Sequence, residues 1–203
     1  MTICFGKADE LAYNHDTLYK VFRFRHQIFH DRLNWDVNSL DGMEYDEFDT
    51  LNPYHMIAMN EQNEVNAYWR ILPTTGPYML QQTFPQLLRD EDAPKQNTIW
   101  ELSRFAVTSS KRDSRSQAVM SNLSFKMFQQ TYNFAIDQGI TAYVTVVSAA
   151  VERMFMRADF PMRRFGDGES QKVGKITTVA CWMDINEQYR KAAFEHNLNQ
   201  QAG

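Results

Sequence analysis

The segment spanning residues 98–108 most tightly constrains what this chain can fold into. Ile99, Trp100, Leu102, Phe105, Ala106 and Val107 leave few polar interruptions, the composition of a central strand buried on both faces. Glu101 and Arg104 nevertheless sit inside it. Strict alternation sends positions 101 and 104 to opposite faces of a sheet, and a buried charge that loses its partner costs about 3–5 kcal/mol. Either a bulge re-aims one of the two, or one meets a polar partner elsewhere. A buried ion pair that merely specifies the fold is the plain structural alternative.

The rest of the chain supplies alternating strand and helix patterns around that strand. Residues 2–5 form a short apolar run suited to an edge strand, and 17–31 repeat apolar residues at helical spacing (Leu18, Val21, Phe22, Phe24, Ile28, Phe29). The acidic stretch 36–52 reads as a loop, broken by Gly42 and stopped by Pro53. Strands are expected at 54–60 and 65–72 with a hairpin turn at 61–64, and a short helix at 83–88 after the turn cluster 73–77. A helix over 116–138 ends at Gly139, a natural C-cap. A strand at 141–147, a helix at 149–158, a strand at 175–183 and a helix at 187–198 complete the pattern. Such alternation predicts an α/β three-layer sandwich, with residues 1–203 forming one domain.

Composition removes whole classes. Charged residues at 23% and hydrophobic ones at 43% exclude a disordered or disulfide-built chain. No apolar run approaches the roughly 20 residues of a membrane helix, and Lys7, Asp9 and Glu10 occupy the place of a signal peptide's apolar core. A cytoplasmic protein without a membrane partner is expected, with Cys4 and Cys181 as free thiols. The net charge of −4 argues against nucleic acid as a partner. It is unevenly spread: residues 1–100 hold 15 acids and 8 bases (−7), and 101–203 hold 10 acids and 13 bases (+3).

Several familiar chemistries are missing. His26 and His30 lie at i, i+4 ahead of Asp31, but Gln27 stands where a metalloprotease motif carries its Glu, so no metal is expected. There is no glycine between Gly76 and Gly139, which leaves residues 108–115 unable to form a glycine-rich pyrophosphate loop. No nucleophile motif is present. What does stand out is the stretch 41–49, where Glu44, Asp46, Glu47 and Asp49 interleave with Tyr45 and Phe48 close behind Trp35. Carboxylates set among aromatic faces suit a small cation.

Arg25-His-Gln-Ile-Phe29, Trp35, Asp46-Glu-Phe-Asp49, the run from Trp69-Arg70 to Tyr78-Met79, Thr83-Phe84-Pro85 and Ile99-Trp-Glu101-Leu-Ser-Arg104-Phe together resemble the LuxI-type acyl-homoserine-lactone synthases, the autoinducer synthases of bacterial quorum sensing. The resemblance covers roughly residues 20–185. It implies a three-layer α-β-α sandwich akin to the GNAT acyltransferases, with a mixed central sheet whose central strand carries a bulge. It also implies a reaction in which the amine of S-adenosylmethionine attacks an acyl thioester on acyl carrier protein, after which the lactone closes and methylthioadenosine leaves.

By matching position, Arg25, Phe29, Trp35, Asp46, Asp49, Phe84, Arg104 and Phe105 would form the S-adenosylmethionine pocket. Arg25, Asp46, Asp49, Arg70, Glu101 and Arg104 would form the electrostatic cluster that orders it. Glu101, or a water or backbone carbonyl beside Ser103, would accept the proton, and backbone amides near the bulge would steady the oxyanion. Leu72, Met79, Leu102, Phe105, Leu123, Met127, Thr145, Val147 and Met154 are candidates for the acyl slot, each with core packing as its alternative. In the family that the chain resembles, a Thr at the position of Thr145 accompanies 3-oxo substrates, so the resemblance implies a 3-oxo acyl chain of medium to long length. Lys111, Arg112, Arg115, Arg153 and Arg157, with Arg163 and Arg164 in reserve, would meet the acidic carrier protein. The rival readings are an acyl-coenzyme A-dependent GNAT-like N-acyltransferase and a non-catalytic regulator that binds S-adenosylmethionine or carrier protein.

Overall fold

The structure, a computed structural model, describes residues 1–10, 15–108 and 120–200. Lys111, Arg112, Arg115 and the predicted start of the 116–138 helix lie outside the described residues. In chain order come β1 (Thr2–Lys7), α1 (His15–Arg25), a π-helical turn (His26–Arg32), β2 (Ser39–Leu40), β3 (Met43–Glu44) and a 3-10 helix (Glu47–Leu51). Then follow β4 (Tyr54–Met59), β5 (Val65–Pro73), α2 (Met79–Gln82), a second 3-10 helix (Pro85–Leu88) and β6 (Ile99–Val107). The chain continues through α3 (Asn122–Gln138), β7 (Ala142–Ser148), α4 (Ala149–Arg157), β8 (Met162–Arg164), β9 (Gln171–Val173), β10 (Ile176–Asp184) and α5 (Glu187–Gln200). Two compact units result: Met1–Leu72 with Leu102–Thr108, and Pro73–Glu101 with residues 109–203. No helix among the described residues is long and apolar enough to cross a membrane.

In the first unit β4 pairs antiparallel with both β1 and β5. The β4–β5 turn is held by Asn60, whose Oδ1 accepts from the N–H groups of Gln62 and Glu64. The apolar face predicted for 17–31 lies on this sheet. Val21, Phe24, Ile28 and Phe29 pack with Ile57, Met59, Val65, Tyr68 and Ala106, each large side chain contributing about 1.5–3 kcal/mol by leaving water. Regular α-helix stops at Arg25, however, and the next seven residues form a wider turn in which Leu33 N–H reaches back five residues to Ile28 O at 3.1 Å. The stretch read as a loop at 36–52 is also more ordered than expected. Asp41 and Gly42, both at positive φ, make a tight hairpin between β2 and β3, a turn that the Asp-Gly pair signals.

The second unit is built on β7 and β10, which pair antiparallel along the whole of β7, with β8 and β9 also on β10. Thr98 O accepts from the N–H groups of Thr141 and Ala142, so β6 and β7 start at the same sheet edge and run parallel, joined through α3. The sheet is therefore mixed. Alternation along β7 places Tyr143 towards α3, where its hydroxyl donates to Thr131 O at 2.9 Å, and Val144 towards the opposite layer with Tyr78, Leu80 and Leu87. Helices thus cover both faces of this unit's sheet, the expected three-layer α/β arrangement. Gly139 at φ 66° ends α3 as predicted, its N–H returning to Ala135 and Ile136 carbonyls. The short strands β8 and β9, three residues each, were not anticipated, because so few residues carry no readable period.

Candidate active site

The first unit concentrates its charges at one place. Arg25 closes α1, Arg70 lies in β5, and Ser103 and Arg104 in β6. Arg25 donates through Nε to Glu44 (2.6 Å) and through Nη1 to Asp49 (2.7 Å). Arg70 donates to both oxygens of Asp46, to Asp49 at 2.9 Å and to Ser103 Oγ at 3.1 Å. Arg104 donates to Glu44 at 2.9 and 3.1 Å, and its Nη2 lies 2.8 Å from Asp46. Three guanidinium groups and three carboxylates make a neutral cluster, with the Arg25, Arg70 and Glu44 side chains wholly buried. The acidic loop is locked locally first. Asp46 caps the 3-10 helix by accepting from Phe48 N–H, and Asp49 accepts from Asp46 N–H in return, a reciprocal capping box.

Arg104 reaches this cluster because β6 is bulged. Asn66 O accepts from Thr108 N–H, and Ile99 O accepts from Thr74 N–H, so nine residue steps on β6 oppose eight on β5. Arg104 takes φ 61°, a left-handed conformation unusual for a non-glycine residue in a strand. Consecutive side chains of a regular strand point apart, yet Ser103 and Arg104 both bond into the same cluster. The bulge that the resemblance implied is present, and it removes the alternation conflict.

Burial and charge act in opposition on these groups. Burial by itself would raise the Glu44 and Asp49 carboxyls, but Arg104 and Arg25 acting on Glu44, and Arg25 and Arg70 acting on Asp49, hold both below the usual range. Behind Arg25, His55 Nδ1 lies 2.9 Å from the Tyr68 hydroxyl. Burial, with a smaller push from Arg25 and Arg70 set against Asp49, lowers the His55 imidazole to about 4. Asp46 and Asp49 are thus spent on arginines rather than left as free anions for a cation. This corrects the simple reading of the acidic stretch: the carboxylates are needed inside the protein to make three buried arginines tolerable.

An aromatic wall adjoins the cluster. Phe29 stacks on Trp35 (5.3 Å between ring centroids), the Arg104 guanidinium sits 5.6 Å from the Phe29 ring, and Phe105 packs on Trp69 at 4.7 Å. Arg25 Nη2 is buried without a hydrogen-bond partner, 3.9 Å from Asp46. Arg25, Phe29, Trp35, Asp46, Asp49, Arg70, Ser103, Arg104 and Phe105 are therefore gathered in one unit. Glu44 was not singled out among the acids of its stretch. The signal was available: three arginines drawn into an apolar setting require three carboxylates.

Leu72 and Leu102 apart, the other predicted residues belong to the second unit. Glu101 accepts from the N–H groups of Met79 (3.0 Å) and Leu80 (2.6 Å), the first turn of α2. Phe84 packs against the group formed by Tyr78, Leu87 and their neighbours. Met79, Met127, Thr145 and Val147 are buried, while Leu123 and Met154 are half-buried. Leu72 and Leu102, in the first unit, are buried as well. Arg153 and Arg157 are exposed on α4, with no ion pair among the described residues. Arg163 and Arg164 are instead engaged, by Glu91 at 3.2 Å and Glu152 at 2.6 Å.

Comparison with known proteins identifies the family and the fold. A profile of the autoinducer synthase family matches residues 9–193. An acyl-homoserine-lactone synthase of Aliivibrio fischeri is 43% identical over 192 residues, covering 95% of this chain and 98% of that one. The crystal structure of the AHL synthase LasI superposes with a TM-score of 0.85 at 34% identity, covering 96% of this chain and 94% of that one. BjaI, described as a coenzyme A-dependent acyl-homoserine lactone synthase and solved with S-adenosylmethionine and isopentyl-coenzyme A, gives 0.75 at 29% identity, covering 89% and 81%. Fold likeness alone extends to an acyl-CoA N-acyltransferase from Pseudomonas aeruginosa, at 0.58 and 12% identity over 90% of this chain and 99% of that one.

The buried charges predict how stability responds to acid. Unfolded, His55 takes up a proton near pH 6.5; folded, it resists until about pH 4. Within that window the unfolded chain holds more protons, so stability is complete above about 6.5 and falls towards 4, by up to about 3 kcal/mol from this residue. Glu44 and Asp49, lowered in the folded state, add a second loss that begins as pH drops through about 4. Urea denaturation at pH 7.5, 5.5 and 4.5 will show a decline that His55→Asn flattens between 6.5 and 4. Equal pH slopes in the two proteins would refute the assignment.

Proposed function

The chain belongs to the autoinducer synthase family and is an acyl-homoserine-lactone synthase, and on that premise we propose that it acylates S-adenosylmethionine from acyl-acyl-carrier protein and lactonises the product for quorum sensing, with a 3-oxo acyl chain of medium to long length. The observation that carries this reading is the neutral arginine–carboxylate cluster beside the Phe29–Trp35 wall. Its groups are fixed before any ligand arrives, so charge that moves during reaction meets dipoles already in place. Phe29, Trp35, Arg104 and Phe105 bind S-adenosylmethionine, and Arg25, Asp46 and Asp49 order the cluster beside them.

The amine must lose a proton before its lone pair attacks the thioester carbonyl. Glu101, or a water or carbonyl beside Ser103, takes that proton. Each Glu101 oxygen accepts one amide N–H, which fixes the carboxylate. The tetrahedral intermediate collapses to an amide and releases the carrier-protein thiol. The methionine carboxylate then attacks its own γ-carbon and displaces methylthioadenosine. This closure is intramolecular, so a folded chain held against the aromatic wall supplies much of the rate.

The carrier protein as donor is supported by the glycine-free run from 77 to 138, unsuited to a coenzyme A pyrophosphate loop, and by the exposed Arg153 and Arg157 one turn apart on α4. Likeness to the coenzyme A-dependent BjaI keeps the second donor as the competing reading. Thr145, 2% exposed on β7, supports the 3-oxo preference by offering a hydroxyl to a substrate carbonyl.

Three measurements test these assignments. Glu101→Gln will lower turnover by roughly 100-fold or more without lowering methylthioadenosine and lactone yields in different proportion; wild-type rates would remove Glu101 from the chemistry. With acyl-carrier protein as donor, the Arg153→Glu/Arg157→Glu double variant will lose at least about tenfold in kcat/KM at low salt and much less at high salt. A wild-type enzyme that prefers acyl-coenzyme A would overturn the donor assignment. Thr145→Val will narrow the preference for 3-oxo over unsubstituted thioesters by roughly 1–2 kcal/mol, one hydrogen bond, read from lactone masses; an unchanged ratio would exclude Thr145 as the selector.

A further inference from the structure

The π-helical turn His26–Arg32 carries a side-chain cluster that the reaction leaves unused. We propose that His26, His30 and Asp31 form a binding site for a divalent first-row transition ion of the zinc class. The wide turn stacks the two imidazoles with centroids 4.5 Å apart and planes 12° from parallel. One donor atom from each of the three residues lies within 4.8 Å of the others. Asp31 Oδ1 is 2.8 Å from His30 Nδ1 and 3.3 Å from His26 Nε2. Ligand atoms around a tetrahedral ion with bonds of about 2.0–2.1 Å are separated by about 3.3 Å, so the aspartate already stands near ligand spacing from both rings.

The surroundings of His26 hold its ring in place. Ser39 Oγ contacts His26 Nδ1 and donates to Met43 O at 3.2 Å, the kind of outer partner that orients a metal-bound histidine. The other ring nitrogen, Nε2, is thereby turned towards the Asp31 carboxylate 3.3 Å away. His30 and Asp31 are half exposed, at 52% and 56%, so an ion can enter and keep water in its remaining positions. Nitrogen, nitrogen and carboxylate oxygen suit zinc or its neighbours better than calcium or magnesium, which prefer oxygen throughout. Arg25 immediately precedes this turn and Phe29 lies within it, so a bound ion would brace the backbone that carries both.

Zinc titration of the chelator-treated full chain, followed calorimetrically and by thermal melting, tests the site. One equivalent is expected with micromolar affinity, and at 100-fold excess over Kd the melting temperature rises by roughly 5 °C. His30→Asn/Asp31→Asn will lose that equivalent and the thermal shift, and His26→Gln, tested separately, will weaken binding at least tenfold. Cobalt bound by the wild type will show the intense visible bands of a low-coordinate site, absent in the double variant. Failure of the wild type to bind zinc at 100 μM, or the same number of equivalents in wild type, double variant and His26→Gln, would overturn the proposal.

Discussion

Three arginines buried against three carboxylates are the interaction on which the first unit depends. No one of the six charges is tolerable alone, since a stranded buried ion costs about 3–5 kcal/mol. Together they are neutral, and nearly every guanidinium nitrogen and carboxylate oxygen is used. The cost of assembling them is spread over the surrounding architecture. Helix α1 must end at Arg25, the acidic loop must be capped at Asp46, and β6 must gain a residue so that Arg104 turns inward. Each of these local features, taken alone, is a departure from regular structure; together they serve one electrostatic arrangement.

The bulge illustrates how such a departure persists. A non-glycine residue at φ 61° is strained by about 1–3 kcal/mol. Arg104 offsets that strain with charge-assisted bonds to Glu44 and Asp46. The same distortion interrupts the regular alternation of β6, so that Ser103 and Arg104 both reach the cluster.

Legibility in the sequence followed the range of the interaction. Strands β4, β5, β7 and β10 and helices α3 and α4 announced themselves through period and caps, because these signals act over a few residues. Glu101 and Arg104 were visible as misfits in an apolar strand; Arg104 joins the charge cluster, while Glu101 accepts from the first turn of α2. Glu44 was hidden among five acids between residues 41 and 49, since composition does not say which carboxylate an arginine from another element will meet. The switch to a π turn after Arg25 was equally silent. Its apolar residues fit a regular helix well enough, and the wider winding is recorded only in the five-residue bond to Leu33.

The charge asymmetry between the halves of the chain was a fact of composition, but its meaning was not. The amino acids alone determined an α/β fold with alternating buried strands, the absence of a glycine-rich phosphate loop, and a set of arginines, carboxylates and aromatics with the spacing of an autoinducer synthase. Only the tertiary structure decided that Asp46 and Asp49 serve arginines first, that Glu44 completes the set, that Arg163 and Arg164 are already paired while Arg153 and Arg157 are exposed, and that His26 and His30 converge on Asp31. The physical reason is common to all four. Propensity and periodicity are local, whereas an ion pair depends on which charges are brought within a few ångströms after the elements have packed, and that distance is not written in the order of the residues.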